Sequence, residues 1–171
     1  MPAPSVAPTA VATATFTVPA AVVWAYRLDF ANLPEYNPDV SDLVRVADGA
    51  KDGAGGVCGV GARYTFGLAD PRQPGRTQPV ELWAEEIVEP TLVAAGMSGG
   101  SDAYEEFVVT PDSDGDGCSA VLTLWVSLPD GLSEEVRAAA AGGSLESISK
   151  EMRLMKDVLE GRAAQVGTSV T

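Results

Sequence analysis

The sequence predicts an α+β domain of seven antiparallel strands, with two short helices after the first strand and one long helix at the end. Three observations carry this. An alternating run from Ala12 to Val18 leads straight into helical spacing at Val22, Val23, Tyr26 and Phe30. Between Ser41 and Leu128, short runs of β-branched and aromatic residues are separated by Gly, Asp and Pro turns. Leu145, Ile148, Met152, Met155 and Leu159 then step by three and four, an apolar stripe along a final helix. A chain of 171 residues that is 46% hydrophobic can bury one core without a second domain, and it reads as a domain over 12–161 between tails at 1–11 and 162–171.

In chain order, the first strand is Ala12 to Val18, and Pro19 presets φ for a first helical turn. The helical face of Val22, Val23, Tyr26 and Phe30 follows, and Pro34 and Pro38 are expected to end it. Ser41 to Val46 is the second strand, and the segment from Ala47 to Gly59, with five glycines and two aspartates, is a surface loop. From Gly61 to Leu68 the pattern alternates, which turns Tyr64 and Phe66 inward and Arg63 and Thr65 outward. A loop from Asp70 to Pro79 leads to strands at Val80–Val88, Thr91–Ser98, Tyr104–Thr110 and Cys118–Leu128. Their connections are mostly too short for parallel crossovers, so the pairing is antiparallel. The last helix runs from about Ser133 to Gly161, with Glu146, Lys150, Glu151, Lys156 and Asp157 off its apolar stripe. Gly142 and Gly143 are expected to bend or restart it, since each glycine costs about 1 kcal/mol against alanine inside a helix.

Charge and composition remove several classes of function. Twenty-four acidic against eleven basic residues give a net charge of −13. A phosphate backbone is repelled by such a surface, so nucleic acid is not expected as a partner. The charge itself reads as a solubility device. MPAPSVAPTAVA, the first dozen residues, has three prolines and no basic n-region, which suits a flexible tail rather than a signal peptide. Nowhere does the sequence reach the roughly 18 apolar residues of a membrane span. Two cysteines, Cys58 and Cys118, without an export signal suggest a cytoplasmic protein with free thiols.

Histidine is absent, which removes Ser-His-Asp and Cys-His nucleophilic schemes and the commonest metal ligand. The glycine-rich stretch from Gly53 to Gly61 lacks the Lys-Ser/Thr and the following helix of a phosphate loop. Asp112, Asp114, Asp116 and Gly117 open like a calcium loop, yet position twelve is Thr123 and the following residues read as a strand. A solvated turn is the simpler reading, and no metal or cofactor is expected.

The motif Val23, Trp24, Asp29, Asn32, Leu33, Pro34, Tyr36, Pro38 and Val40, together with the stretch from Gly117 to Val126 and the closing MRLMKDVLEG (Met152–Gly161), resembles the START/polyketide-cyclase (SRPBCC, Bet v 1-like) superfamily. The likeness runs from about Ala12 to Gly161. It implies a helix-grip fold, in which a curved sheet wraps the C-terminal helix and a cavity for a hydrophobic small molecule lies between them. It also implies a mouth near the start of that helix, where Gly142 and Gly143 read either as a gate or as a plain break. The superfamily includes polyketide cyclases and aromatases as well as lipid carriers and hormone receptors, so membership alone names no reaction.

A hydrophobic cavity needs few polar groups to do chemistry. Tyrosine hydroxyls orient carbonyls or donate to enolates, and buried carboxylates, whose pKa rises, act as acids or bases. On these grounds Tyr64 and Tyr104 are candidate hydrogen-bond donors, Glu86 is the candidate acid/base because it is in phase with Leu82 and Ala84, and Arg63 is a minor candidate that faces outward. Between Glu105 and Glu106 periodicity does not decide. Tyr26, Phe66, Trp83, Met97, Phe107, Met152 and Met155 are the candidate substrate-binding residues, although simple core packing also accounts for the tryptophan and the methionines. The expected function is a cofactor-independent cyclase or aromatase acting on a polyketide-like ligand, with a non-catalytic carrier, sensor or sequestering protein as the alternative, either of them a monomer or a homodimer.

Overall fold

In the computed structural model, which describes residues 6–50, 58–70, 73–99 and 101–168, the first strand already begins at Ala10. This strand, β1 (Ala10–Phe16), buries Ala10, Ala12 and Phe16 on one face. Pro19 caps helix α1 (Ala20–Leu28), and its carbonyl accepts from the N–H groups of both Val22 and Val23. The buried stripe of α1 is Ala20, Val23, Trp24, Arg27 and Leu28, spaced three and four apart, while Val22 stands exposed, contrary to the expected face. Phe30 is not on this helix at all. It opens a single 3₁₀ turn, Phe30–Asn32, in which the Asp29 carboxylate accepts from the Ala31 N–H at 3.1 Å. Pro34 therefore does not end a helix but sits in the first turn of the short α2 (Leu33–Tyr36), where its missing N–H costs nothing.

The remaining strands are β2 (Val40–Ala47), β3 (Arg63–Ala69), β4 (Thr77–Val88), β5 (Leu92–Ser98), β6 (Ala103–Pro111) and β7 (Cys118–Val126). They form one curved antiparallel sheet in the order β1-β7-β6-β5-β4-β3-β2. α1 and α2 thus carry the chain from one edge of the sheet to the other. Between β6 and β7 the aspartate-rich segment is a tight turn, with the Gly115 N–H donating to the Asp112 carbonyl at 3.1 Å. Among the described residues no cluster of acidic or sulfur side chains is placed to hold a metal ion. The glycine-rich loop falls largely on residues 51–57, outside the described residues, as do 1–5 and 169–171 of the tails.

Two features of β4 and β6 decide which side chains face the core. Ala84 pairs with Ala95 while Glu86 pairs with Ala94, so a bulge in β4 shifts the alternation by one residue. Past it Ile87, not Glu86, continues the inward face opposite Val93, and Glu86 is exposed on the outer side. On β6 the inward residues are Glu105, Phe107 and Val109, which settles the phase that periodicity left open.

Helix α3 (Glu134–Thr168) is continuous through Gly142 and Gly143, so the helix does not start anew there. Neither glycine has a neighbour near the place of a side chain, and from Glu134 to Ser147 no residue is buried. The Ser133 hydroxyl caps the helix by accepting from the Val136 N–H at 3.3 Å. Packing starts at Ile148 and continues through Met152, Met155 and Leu159 against β1, β7 and α2, while Leu145 stays outside the stripe. Cys58 and Cys118 are buried free thiols. No described helix is long and apolar enough to cross a membrane.

Candidate functional site

The helical period that buries Val23 and Trp24 also carries Arg27 under α1, to 2% exposure. A guanidinium there is tolerated only when it is paired. Its Nη2 donates to Glu105 Oε1 on β6 at 2.5 Å, and its Nη1 to Glu151 Oε1 on α3 at 2.6 Å and to the Tyr36 hydroxyl on α2 at 3.0 Å. The rings of Tyr36 and Phe107 lie 5.3 and 5.5 Å from the guanidinium carbon, close enough for cation–π attraction. Asn37 Nδ2 donates to the second oxygen of Glu151 at 3.3 Å. One cation thereby ties together α1, α2, α3 and the sheet.

The charges in this cluster do not cancel. One guanidinium faces two carboxylates, so full ionisation would leave an excess negative charge in a poorly solvated place. Burial pushes the Glu105 carboxyl up from its ordinary value; Arg27 opposes this and the nearby Glu151 adds to it. The Tyr36 hydroxyl is likewise raised by burial, with Arg27 pulling the other way. For Arg27 burial alone would lower the pKa, but Glu105, Tyr36 and Glu151 together hold it firmly protonated. A buried carboxyl raised in this way is better matched to acid/base work near neutral pH than an exposed one.

This cluster borders a cavity of about 620 Å³ between α3 and the sheet. That volume is within the range that encloses drug-sized molecules. Its walls are mostly apolar, from Phe30, Leu33, Phe66, Leu82, Leu124 and Ile148 among others. Gln73, Gln78, Ser101 and Ser147 line it but are exposed, which marks the mouth, whereas Arg27, Glu105 and Glu151 are buried at the inner end. The helix segment carrying Gly142 and Gly143 leads up to Ser147 and so approaches this mouth.

Of the residues singled out from sequence, Phe66 and Met97 line the cavity. Tyr64, Phe107, Met152 and Met155 are buried in the core behind its wall. The Tyr64 ring meets Phe30 edge-on at 5.5 Å, and burial, followed by the neighbouring Cys58 thiol, pushes its hydroxyl up to about 12. Tyr26 lies off the cavity and donates to Glu35 Oε2 at 2.8 Å under the Arg162 guanidinium, which itself reaches Glu35 at 2.6 Å. Trp83, Tyr104 and Glu86 belong to the outer face. Trp83 covers Gly96, where a side chain would collide with its ring, and the Tyr104 ring packs tilted against Trp125 at 5.6 Å while its hydroxyl donates to Glu106. Arg63 is exposed and paired with Glu81 at 2.5 Å.

Sequence reasoning missed Arg27 and placed Glu151 on a solvent face. Both signals were present: Arg27 falls three residues after Trp24, and Glu151 lies three after Ile148 and four before Met155, within each helix's apolar stripe.

The family described as polyketide cyclase / dehydrase and lipid transport matches residues 7–160. No curated protein matches this chain. Among solved structures, a START superfamily protein from Mycobacterium smegmatis is similar at 16% identity and a TM-score of 0.64, over 91% of this chain and 97% of that one. A protein from Thermus thermophilus is similar at 17% identity and a TM-score of 0.64, over 86% and 94% of the two chains. A third, from Deinococcus radiodurans, shares 14% identity with a TM-score of 0.55 over 89% and 98%. At these identities the likeness is one of fold.

Proposed function

The chain belongs to the polyketide cyclase / dehydrase and lipid transport family, and from that premise we propose that its cavity takes up an elongated, mostly apolar polyketide-like molecule and directs its ring closure and dehydration. The observation that carries this is a buried Arg27–Glu105–Glu151 cluster at the inner end of an otherwise apolar cavity. The cavity walls hold a flexible chain in one folded shape, which supplies the entropic part of the catalysis. The acid/base role that the sequence suggested for Glu86 passes to Glu105.

The protons balance within the carboxyl pair. An ionised carboxylate removes a proton from a methylene flanked by two carbonyls, and the enolate carbon forms a bond to a second ketone carbon. The protonated carboxyl gives its proton to the alkoxide that results. In the dehydration that follows, a carboxylate takes the remaining α-proton and the hydroxyl leaves as water with a proton from the acid partner. Arg27 stays charged throughout and holds both carboxylates in position. A cytoplasmic setting, which keeps Cys58 and Cys118 reduced, suits such an enzyme of natural-product biosynthesis.

A second reading is a carrier, sensor or sequestering protein with the same cavity. It is favoured by the mutual pairing of Arg27, Glu105, Glu151, Tyr36 and Asn37, which stabilises the fold without any chemistry. A synthetic poly-β-ketone separates the two, with affinity read by fluorescence and ring closure by chromatography under single turnover. For the cyclase, Glu105→Gln keeps its affinity within about threefold while ring closure slows by about a hundredfold or more, the usual scale of a lost acid/base group. Wild-type ring closure no faster than the spontaneous reaction assigns the protein to the carrier class instead.

A further inference from the structure

One carboxylate oxygen at the inner end of the cavity is left without a partner. The Glu105 side chain makes its hydrogen bond through Oε1, which accepts from Arg27 Nη2, while Oε2 accepts from no described residue. Among the described residues, Arg27 Nε is the sole side-chain nitrogen or oxygen that is both sealed from solvent and unpaired. Glu105 Oε2, also unpaired, therefore keeps accessible surface, although its residue is only 8% exposed. Glu105 stands on the inward face of β6 and lines the cavity, so that surface opens into it. The other carboxylate offers no such atom, because Glu151 Oε1 accepts from Arg27 and its Oε2 from Asn37.

The surroundings of Oε2 are also short of positive charge. Among the described residues that line the cavity, Arg27 is the sole cation beside Glu105, Glu151 and Asp70. Burial, opposed by Arg27 and reinforced by Glu151, pushes the Glu105 carboxyl up, which expresses the same shortage. Resting on the reading of this cavity as a small-molecule site, we propose that its inner end receives the protonated amine of a mostly apolar ligand, with the ammonium group donating to Glu105 Oε2. Two cations then face two carboxylates, and the excess charge of the cluster is gone. A hydrogen bond between charged partners is stronger than a neutral one, and more so away from bulk water. An alcohol supplies the hydrogen bond without the charge, a hydrocarbon supplies neither, and a carboxylate adds a third like charge. With the mouth at Gln73, Gln78 and Ser101, the ammonium enters first and the apolar remainder lies along Phe66, Leu82 and Ile148. Such an amine takes the oxygen that acid/base work on a ketone needs, so it occupies the site without reacting there.

Aminomethylanthracene, hydroxymethylanthracene, ethylanthracene and anthracene carboxylate, all substituted on the central ring, share one tricyclic frame and differ in the group that would meet Glu105. Only the first is a cation at pH 7, since an alkylamine, like the lysine side chain, titrates well above neutrality. Fluorescence titrations of the full-length chain at that pH should find the amine bound about tenfold or more tightly than the alcohol, the scale of a charged hydrogen bond over a neutral one, and the carboxylate more weakly than the hydrocarbon. In Glu105→Gln, where Arg27 and Glu151 remain as a balanced pair, amine and alcohol should bind within about threefold of each other. The same near-equality is expected in R27M/E105Q/E151Q, which removes all three charges of the cluster and strands none. An amine no tighter than the alcohol in the wild type, or an advantage that survives in E105Q, overturns the ammonium site and leaves the cavity reading standing. Failure of all four compounds to bind up to their solubility overturns the cavity reading and the ammonium site with it. The wild-type comparison of amine and alcohol decides even where neither variant folds.

Discussion

Arg27 ties α1, α2, α3 and the sheet together through one buried cluster. Removing a single member of its cluster is severe in either direction. Arg27→Met would leave Glu105 and Glu151 buried together with no cation, a change on the order of 3–5 kcal/mol. Glu105→Gln is milder, because Gln keeps the shape and Arg27 still has Glu151. It also isolates a titration. Burial first, and then Glu151, raises the Glu105 carboxyl above its ordinary 4.5 in the folded chain, against the pull of Arg27. Above that ordinary value the unfolded chain releases a proton that the folded chain keeps, so ν_U is smaller than ν_N and stability falls as pH rises. The contribution is therefore complete below about pH 4.5 and is lost as pH rises through the folded pKa. Urea unfolding of both proteins from pH 4 to 8 should show the wild-type advantage over E105Q shrinking as pH increases, by no more than about 1.4 kcal/mol per pH unit. An advantage that grows with pH would mean that the ionised form of Glu105 is favoured by Arg27 after all.

At the scale of elements, α3 is two helices in one. From Ile148 onward it is fixed by Met152, Met155 and Leu159, whereas the portion from Glu134 to Ser147 buries nothing and includes two glycines. A helical segment without tertiary packing is held by its own propensity, which two glycines lower by about 1 kcal/mol each. Such a segment opens locally at much lower free energy than the body of the molecule. Alanine at both positions meets no steric obstacle, since nothing lies near either Cβ position and the backbone there is helical. G142A/G143A should therefore slow amide exchange over 135–147 by about tenfold or more and leave exchange in the sheet unchanged. If these glycines are instead a gate at the mouth beside Ser147, the same variant will slow association of the synthetic poly-β-ketone. Unchanged exchange in 135–147 would show that packing, not propensity, orders this part of the helix.

For the whole molecule, the architecture was legible because each strand and the final helix carry their own period: Tyr64 and Phe66 alternate inward, and Met152, Met155 and Leu159 step along α3. The site was less legible for two reasons. The bulge after Ala84 reverses the face of Glu86, an event with no signature in a run of alternating residues. The Arg27–Glu105 pair joins residues 78 apart, and only the assembled fold brings α1 over β6. What the sequence states directly is the overall charge of −13, and its consequence is global. Many of the basic groups are already paired at the surface, Arg63 with Glu81, Lys150 with Asp39 and Arg162 with Glu35, so the excess carboxylates repel one another across the molecule. Added salt shortens the screening length from about 30 Å at 0.01 M to about 8 Å at 0.15 M. That range covers the distances between surface carboxylates but not the few ångströms inside the Arg27 cluster, which solvent ions do not reach. Sodium chloride raised over this interval at pH 7 should therefore increase the unfolding temperature, because it relieves a repulsion that is stronger in the folded chain than in the expanded one. It should do so equally in the wild type and in R27M/E105Q/E151Q, since the buried charges take no part. A falling unfolding temperature would mean that exposed ion pairs such as Arg63–Glu81 outweigh the repulsion, and a rise confined to the wild type would mean that salt acts at the cluster.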